Sequence, residues 1–572
     1  MAKRKVADII IEVLQAAGVK RCYGVVGDTL NHVTDAIRRS EIDWVHVRHE
    51  EAGAFAAGAE AYMTGRLTAC AGTCGPGSLH FINGIFESHR NRAPVVLIAS
   101  QVSTSEFGID FPQEVEFKPI YRACSVYCEM LINPTEARRM ATLAAQAALT
   151  KRGVAVLIVP GDLSAVEVEE GPAYTVHVPA PVTRPNDGEL DRMATLLNSG
   201  GRVAVYAGAG CEHAHDQVVR FCDKMKAPMA HTSRGKDFVE YENPFNVGMT
   251  GIFGSRAGFD AVTQCDTLML LGCDFAWRQF YPKRARVIQI DIDGTHLGRR
   301  HPVDIGVVGD IGATLDALQS RLVERTDRKF LDESLAEYTR VMEDLTHQEH
   351  AGKGGLIHPQ QLTNLLNKHA DQDAIFTADG GGPMVWLLRH IRTNGRRRSL
   401  TSLLHGTMAS AMPQALGIKS ALPLRQVISL SGDGGLAMML GDLLTAIQEE
   451  IPIKVVVYNN SSLGFVELEM KVEGLLDAFT DLKNPNFAKL AEVIGFQGWR
   501  VESNDGLEEA VKAFLAHPGP ALLDVRVNRM ELVMPPHIEL SQVAGTALYS
   551  VKAILSGRTS DVFDLIESNF LK

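Results

Sequence analysis

The segment SLSGDGGLAMMLGDLLTAIQEEIPIKVVVYNNSSLG, residues 429–464, decides the fold. An apolar strand pattern ends at Gly432-Asp433-Gly434-Gly435, a helical pattern starts directly after it, and a second strand pattern ends at Asn459-Asn460. Strand, helix and strand in that order make one crossover unit of a parallel sheet. Asp433 and Asn460 lie 27 positions apart, so both fall at the same carboxyl edge, where open α/β sheets bind ligands.

The alternation continues on the amino-terminal side. At about 150 residues per domain, a chain of 572 residues divides into roughly three to four units. The first block, 1–182, has strand candidates at Trp44–Val47, Leu67–Ala71, Val95–Ile98 and Val154–Val159. The second, 183–335, has them at Val203–Tyr206, Thr267–Leu271 and Val287–Ile290. The third, 336–530, has Ala374–Thr377, Val427–Leu430, Lys454–Tyr458 and Leu522–Val525. Residues 174–187, with Pro179, Pro181 and Pro185, read as a linker. The highly charged stretch 320–355 reads as a solvated connector helix and loop. The fold predicted is α/β, with three doubly wound parallel-sheet domains, followed at 531–572 by a C-terminal tail with an amphipathic helix.

Composition narrows the function. A formal net charge of −11 is the opposite of the basic stripe a nucleic-acid binder needs, so no such partner is expected. Nine cysteines without compact paired spacing fit reduced thiols in a cytoplasm. The N-terminal MAKRKVADIIIEVLQAAGV, interrupted by Asp8 and Glu12, reads as an amphipathic helix rather than a signal peptide. No run reaches the ~18 apolar residues of a membrane span.

The edge carrying Asp433 and Asn460 is rich in oxygen: a carboxylate, an amide and nearby backbone carbonyls. Mg²⁺ prefers such ligands and shares them with phosphates, and the glycines let the backbone approach a diphosphate while the next helix offers free N–H groups. This arrangement resembles the thiamine-diphosphate signature of the pyruvate oxidase and acetolactate synthase superfamily. The resemblance implies thiamine diphosphate and Mg²⁺, with metal ligands at Asp433, Asn460 and the Ser462 carbonyl. Gly434 and Gly435 would line the diphosphate, and Ser461, Leu463 and Gly464 would close over it.

Other segments extend the resemblance along all 572 residues. Arg48-His49-Glu50 resembles the family's His-Glu pair, which implies that Glu50 bonds the cofactor's pyrimidine and activates it. Gly72–Gly77 resembles the family's GxxGPG loop, with Asn83 following. His405-Gly406-Thr407-Met408 resembles the segment that grips the pyrimidine, Met408 propping the bent cofactor. Gln113 carries over as a catalytic residue from an aromatic-Gln-Glu motif, although the aromatic, Phe111, is displaced by one position. Phe465, just past the diphosphate loop, is a candidate mobile catalytic residue that also borders the cofactor. Glu50 and Asp433 lie in different blocks, and in the family they meet across a subunit interface, which implies at least a dimer and suggests a homotetramer.

The middle block has a strand and glycine turn at 203–210 without a full GxGxxG, and a strand ending at Asp291 that can meet a ribose or adenine edge. Its resemblance to the family's flavin domains implies FAD, with Arg234, Gly251, Ile252, Phe253, Gly254, Asp274, Phe275 and Asp291 as binding residues. The tail places Val562, Phe563, Ile566 and Phe570 on one helical face, which reads either as a packed helix or, by resemblance to quinone-linked members of the family, as a switchable membrane anchor. The expected activity is oxidative decarboxylation of pyruvate to acetate and CO₂, with electrons passed through FAD to ubiquinone. The expected location is the cytoplasm, on the inner face of the cell membrane. Competing readings are an acetolactate synthase-like carboligase with structural FAD, a phosphate-dependent pyruvate oxidase, and a non-catalytic nucleotide-binding regulator.

Overall fold

The computed structural model describes residues 3–169, 172, 174–347, 357–529, 531 and 540–556. Three six-stranded sheets, each wholly parallel and flanked by helices, carry the architecture. The expected α/β class with three parallel-sheet domains is what the chain adopts. A two-stranded antiparallel ribbon pairs Lys3–Lys5 with Glu167–Glu169 at the edge of the first domain.

In the first sheet the order is Asp43–His46, Arg21–Gly24, Thr68–Gly72, Val95–Gln101, Val154–Pro160, Tyr127–Met130. In the second it is Asn246–Met249, Met229–His231, Val203–Ala207, Thr267–Leu271, Arg286–Asp291, Ile305–Val308. In the third it is Arg398–Thr401, Ile375–Ala378, Val427–Gly432, Lys454–Asn459, Ala521–Arg526, Gln497–Val501. Successive strands run outward one way and then the other, so each sheet has a switch point where two loops diverge and a crevice opens. In the third sheet that point lies between Ile375–Ala378 and Val427–Gly432, with Asp379 and Asp433 at the two strand ends.

The central strands are apolar on both faces, as a sheet covered twice requires: every residue of Val95–Gln101, Val154–Pro160 and Lys454–Asn459 is buried. The first and third domains meet through two helices, Glu50–Thr64 and Ala411–Ala421. Both are rich in alanine and glycine, so their backbones approach closely. Ala52, Phe55 and Ala59 share one apolar core with Met412, Ala415 and Leu416.

Two expectations are corrected. The connector is a largely exposed helix, as expected, but not solvated all round: Lys329–His347 buries Leu331 and Ser334 and sets Tyr338 against Gly248 and Asn246 of the middle domain. The boundary expected at 335–336 therefore falls inside a helix that packs on the second sheet's domain. The tail also contains a helix the sequence reading did not place, Leu540–Leu555, which buries Tyr549 and Ala553. The amphipathic face at Val562, Phe563, Ile566 and Phe570 lies outside the described residues. Among the described residues no helix is long and apolar enough to cross a membrane.

The helix contact between domains makes a direct prediction. A Cβ on Gly417 would overlap the Ala56 carbonyl, whereas one on Gly441 meets nothing. Gly417→Ala should cost about 1–3 kcal/mol, the usual range for overpacking, and lower the thermal midpoint; Gly441→Ala should leave it in place.

Candidate functional site

Strands Val427–Gly432 and Lys454–Asn459 are hydrogen-bonded neighbours, with Gly432 opposite Tyr458. The register delivers Asp433 and Asn460 to one edge, and the chain then turns sharply at Ser461, whose φ of 55° is left-handed. That conformation is costly for a residue with a side chain, but it aims the Ser461 N–H at Asp433, donating to Oδ2 at 2.6 Å. Asn484 Nδ2 donates to the same oxygen at 2.7 Å, and the Gly434 N–H donates to Oδ1 at 2.9 Å. Asp433 is buried, and burial raises its carboxyl pKa despite these donors.

Asn460 Oδ1 accepts the Ser462 N–H at 3.0 Å, while the Ser462 carbonyl accepts no hydrogen bond among the described residues. A buried carbonyl left unpaired is unusual. Here it borders the same cleft as Asp433 and Asn460, so one carboxylate, one amide oxygen and one backbone carbonyl converge. Among the described residues no group of three His, Cys, Asp or Glu side chains gathers for a metal. The oxygen set at 433, 460 and 462 instead fits a hard divalent ion that completes its shell with phosphate oxygens. Leu463 closes over Gly434.

The cleft has a volume of about 110 Å³. Met408, Asp433, Gly434, Gly435, Asn460, Ser462, Leu463, Gly464 and Phe465 line it, as does Asp379. Gly406, Thr407 and Ser461 are not part of that lining. Thr407 donates its N–H to Ser402 Oγ at 2.9 Å, and its hydroxyl receives Asn83 Nδ2 at 3.1 Å. His405 Nε2 meets Asn83 Oδ1 at 2.8 Å. The first domain thus braces the 402–408 turn of its own chain.

Asp379 went unnoticed in the sequence. It follows strand Ile375–Ala378, is buried, and accepts the Ala411 N–H at 2.9 Å. Among the described residues its Oδ2 has no hydrogen-bond partner, and it lies so close to Gly435 that any Cβ there would overlap it. Burial pushes its carboxyl up to about 7, against N–H donors from Ala411 and Gly432. Asn484 was missed as well, being 51 positions from the carboxylate it holds.

Glu50 begins the helix Glu50–Thr64 and is buried; His49 caps that helix, its ring accepting the Glu51 N–H. Glu50 Oε2 meets His80 Nδ1 at 2.9 Å, and His80 stacks on His49 at 4.7 Å. His80 is a third missed residue, set on the short helix Pro76–His80 that follows the glycine loop. Gln113 is placed against that loop, where Cys74 Sγ donates to its Oε1 at 3.1 Å. Neither Glu50 nor Gln113 borders the cleft at Asp433 within this one chain.

In the middle domain the glycine turn after Val203–Ala207 meets the loop after Thr267–Leu271, Gly210 N–H donating to the Gly272 carbonyl at 3.1 Å. Arg234 lines a small cavity at the junction of all three domains with Tyr62, Asp237 and Ser399. Phe275 packs on Gly251 and joins Tyr206, Trp277, Phe280 and Tyr281 in an aromatic cluster. Asp274 is tied to Arg299 and Arg300, and against its burial these arginines hold its carboxyl low. Asp291 accepts from Asp293 N–H and meets His296 within its own loop. Ile252, Phe253 and Gly254 occupy the loop before helix Arg256–Gln264. Arg389 of the third domain donates to the Phe253 carbonyl at 3.0 Å, and the Phe253 ring lies 6.3 Å from Phe465. The 252–254 loop thus reaches the cleft lining through the contact of Phe253 with Phe465.

Comparison with known proteins agrees with this geometry. Three family descriptions match: thiamine pyrophosphate enzyme, N-terminal TPP binding domain, over residues 4–120; the central domain of the same enzymes over 190–318; and their C-terminal TPP binding domain over 379–525. YdaP of Bacillus subtilis, named as a thiamine pyrophosphate-containing protein, is 31% identical over 99% of both chains. A pyruvate oxidase of Lactiplantibacillus plantarum is 30% identical over 91% of this chain and 88% of its own. An acetolactate synthase isozyme 2 large subunit of Escherichia coli is 28% identical over 92% of this chain and 96% of its own.

The buried Asp379 sets a pH test. Its folded-state pKa stands above the unfolded value, so the folded protein binds this proton more tightly. That stabilisation is fully present below about pH 4 and is lost as pH rises toward about 7. The cofactor-free parent should therefore lose thermal stability relative to Asp379→Asn across that interval; a constant difference in midpoint would contradict the assignment.

Proposed function

This chain belongs to the thiamine pyrophosphate enzyme family, and we propose that within it the protein oxidatively decarboxylates pyruvate to acetate and CO₂, passing two electrons through FAD to ubiquinone. The observation that carries the reading is the contact between the two candidate cofactor sites: Phe253, on the flavin loop, meets Phe465, on the lining of the cleft built by Asp433, Asn460 and Ser462. Such a junction suits electron transfer more directly than it suits a flavin kept only for structure.

When bound, thiamine diphosphate supplies an electron sink for the decarboxylation of a 2-oxo acid, and FAD accepts the electrons. The residues of this chain bind and orient. Asp433, Asn460 and the Ser462 carbonyl would hold Mg²⁺, Gly434 and Gly435 leave room for the diphosphate, and Met408 supports the ring system. Glu50 would hold a proton at the pyrimidine, with His80 beside it at 2.9 Å to exchange that proton. Because Glu50 does not border its own chain's cleft, it would serve the cleft of a second copy, which makes the working unit at least a dimer and, by the family resemblance, a homotetramer. Residues 557–572 would hold the enzyme on the inner face of the cell membrane, close to the quinone.

The relation to acetolactate synthase supports a second reading, carboligation of two pyruvates with flavin in a structural role. Anaerobic addition of pyruvate to enzyme carrying thiamine diphosphate, Mg²⁺ and FAD separates the two. Bleaching of the flavin band with acetate as product is the expected result; an unchanged band with acetolactate formed would move the assignment to the carboligase. In the same assay Glu50→Gln should lower the rate of substrate turnover by about 10²- to 10⁴-fold, the scale of a lost acid–base group, with the fold intact by circular dichroism.

A further inference from the structure

Ser462 is held from three sides. Its N–H is taken by Asn460 Oδ1. Its backbone forms an antiparallel bridge with Asp481, flanked by the Leu463 N–H donating to the Thr480 carbonyl and the Leu482 N–H donating to the Ser461 carbonyl, both at 2.9 Å. Its hydroxyl donates to Glu467 Oε2 at 2.5 Å. Among the described residues only its carbonyl has no protein partner.

Glu467 lies on helix Gly464–Val472, which starts where the loop ends, and is 2% exposed. A carboxylate buried to that degree must be matched by charge or carry a large penalty. Lys471 Nζ reaches Oε1 at 2.6 Å, and Arg529 Nε reaches Oε2 at 2.9 Å. Arg529 in turn pairs with Asp481 at 2.6 Å, on the segment that bridges Ser462. The Tyr549 ring of helix Leu540–Leu555 lies 5.3 Å from the Lys471 ammonium, covering the pair. The cluster therefore ties together the helix after the loop, the strand paired with the loop and the chain just past strand Ala521–Arg526. Arg529 itself lines the cleft, and the Ser462 hydroxyl carries the cluster to the edge where Asp433 and Asn460 converge. A hydrogen bond to an ionised, charge-matched acceptor is short and strong, which suits fixing one peptide unit.

We propose that Glu467 is a positioning residue for the metal: through the Ser462 hydroxyl it fixes the Ser462 peptide so that its carbonyl is presented to a divalent cation, and it thereby sets the affinity for Mg²⁺. This rests on the reading of Ser462 as a Mg²⁺ ligand. The effect of the bond between Ser462 and Glu467 is read in the metal dependence of cofactor binding.

The test measures thiamine diphosphate binding to the full-length chain by calorimetry across a Mg²⁺ titration. Wild type should retain the cofactor only with Mg²⁺. Ser462→Ala keeps the carbonyl and removes the hydroxyl; it should weaken Mg²⁺ about tenfold, the scale of one hydrogen bond to a charged group, while the melting temperature of the cofactor-free protein stays in place. Ser462→Thr should restore the wild-type metal dependence. Glu467→Gln should weaken Mg²⁺ at least as much, and the double variant Ser462→Ala/Glu467→Gln should be no weaker than Glu467→Gln alone. Unchanged Mg²⁺ affinity in Ser462→Ala, or losses that multiply in the double variant, would overturn the proposal while leaving the ligand assignment standing. Wild type that binds thiamine diphosphate equally well without Mg²⁺ would remove the ligand assignment itself, and the proposal with it.

Discussion

The hydrogen bond from the Ser461 N–H to Asp433 is the constraint on which the site depends. It joins the ends of two neighbouring strands whose side chains would otherwise diverge. The bond forms only because Ser461 takes a left-handed backbone, and that local strain is offset by a charge-assisted contact in a buried place. Once the turn is fixed, Asn460 can cap Ser462, Leu463 can lie over Gly434, and the helix from Gly464 starts with Phe465 on the cleft lining. Removing the parallel register of Val427–Gly432 with Lys454–Asn459 would separate all of these at once.

That core was legible because its chemistry is local: two apolar strands, a glycine turn and an amide pair within one crossover. Fully buried strands such as Val95–Gln101 and Thr267–Leu271 were legible for the same reason, as unbroken apolar runs. The unseen strands were mostly sheet edges: Tyr127–Met130, Asn246–Met249, Ile305–Val308, Arg398–Thr401 and Gln497–Val501 all end a sheet. Tyr127–Met130, Arg398–Thr401 and Gln497–Val501 are only partly buried and carry Glu, Arg or Gln, so the hydrophobic period fades, while Asn246–Met249 and Ile305–Val308 span only four residues each. Met229–His231 and Arg21–Gly24 lie inside their sheets but span only three and four residues, too few to show a period.

The site divides along the same line. Asp433, Asn460 and Met408 followed from motifs, and Glu50 from a pair of adjacent residues. Asp379 carried a usable signal, a carboxylate at the end of an expected strand on the switch point, but nothing in the chain's linear order connects it to Gly435. His80, Asn484 and Glu467 carried none, because each gains its meaning from a partner brought close only by folding: Glu50, Asp433 and Ser462. The connector misread has a similar origin. Its charges lie on one face of Lys329–His347, while Leu331, Ser334 and Tyr338 turn toward the middle domain, and a high proportion of charge concealed that second face.

The placement of the first domain bears on how a complete site forms. Its helix Glu50–Thr64 lies along Ala411–Ala421 of its own chain, and Asn83 reaches across to Thr407 and His405. This fixes the first domain against the 402–408 turn. Glu50 is buried, but its partner His80 and the loop carrying Gln113 are open to solvent: the His80 side chain is 47% exposed and Phe111 is 40% exposed. Within this chain Glu50 is not among the residues that line the cleft at Asp433. Under the function proposed here, Glu50 therefore serves the site of a second copy, while the packing of its own domain braces the 402–408 turn.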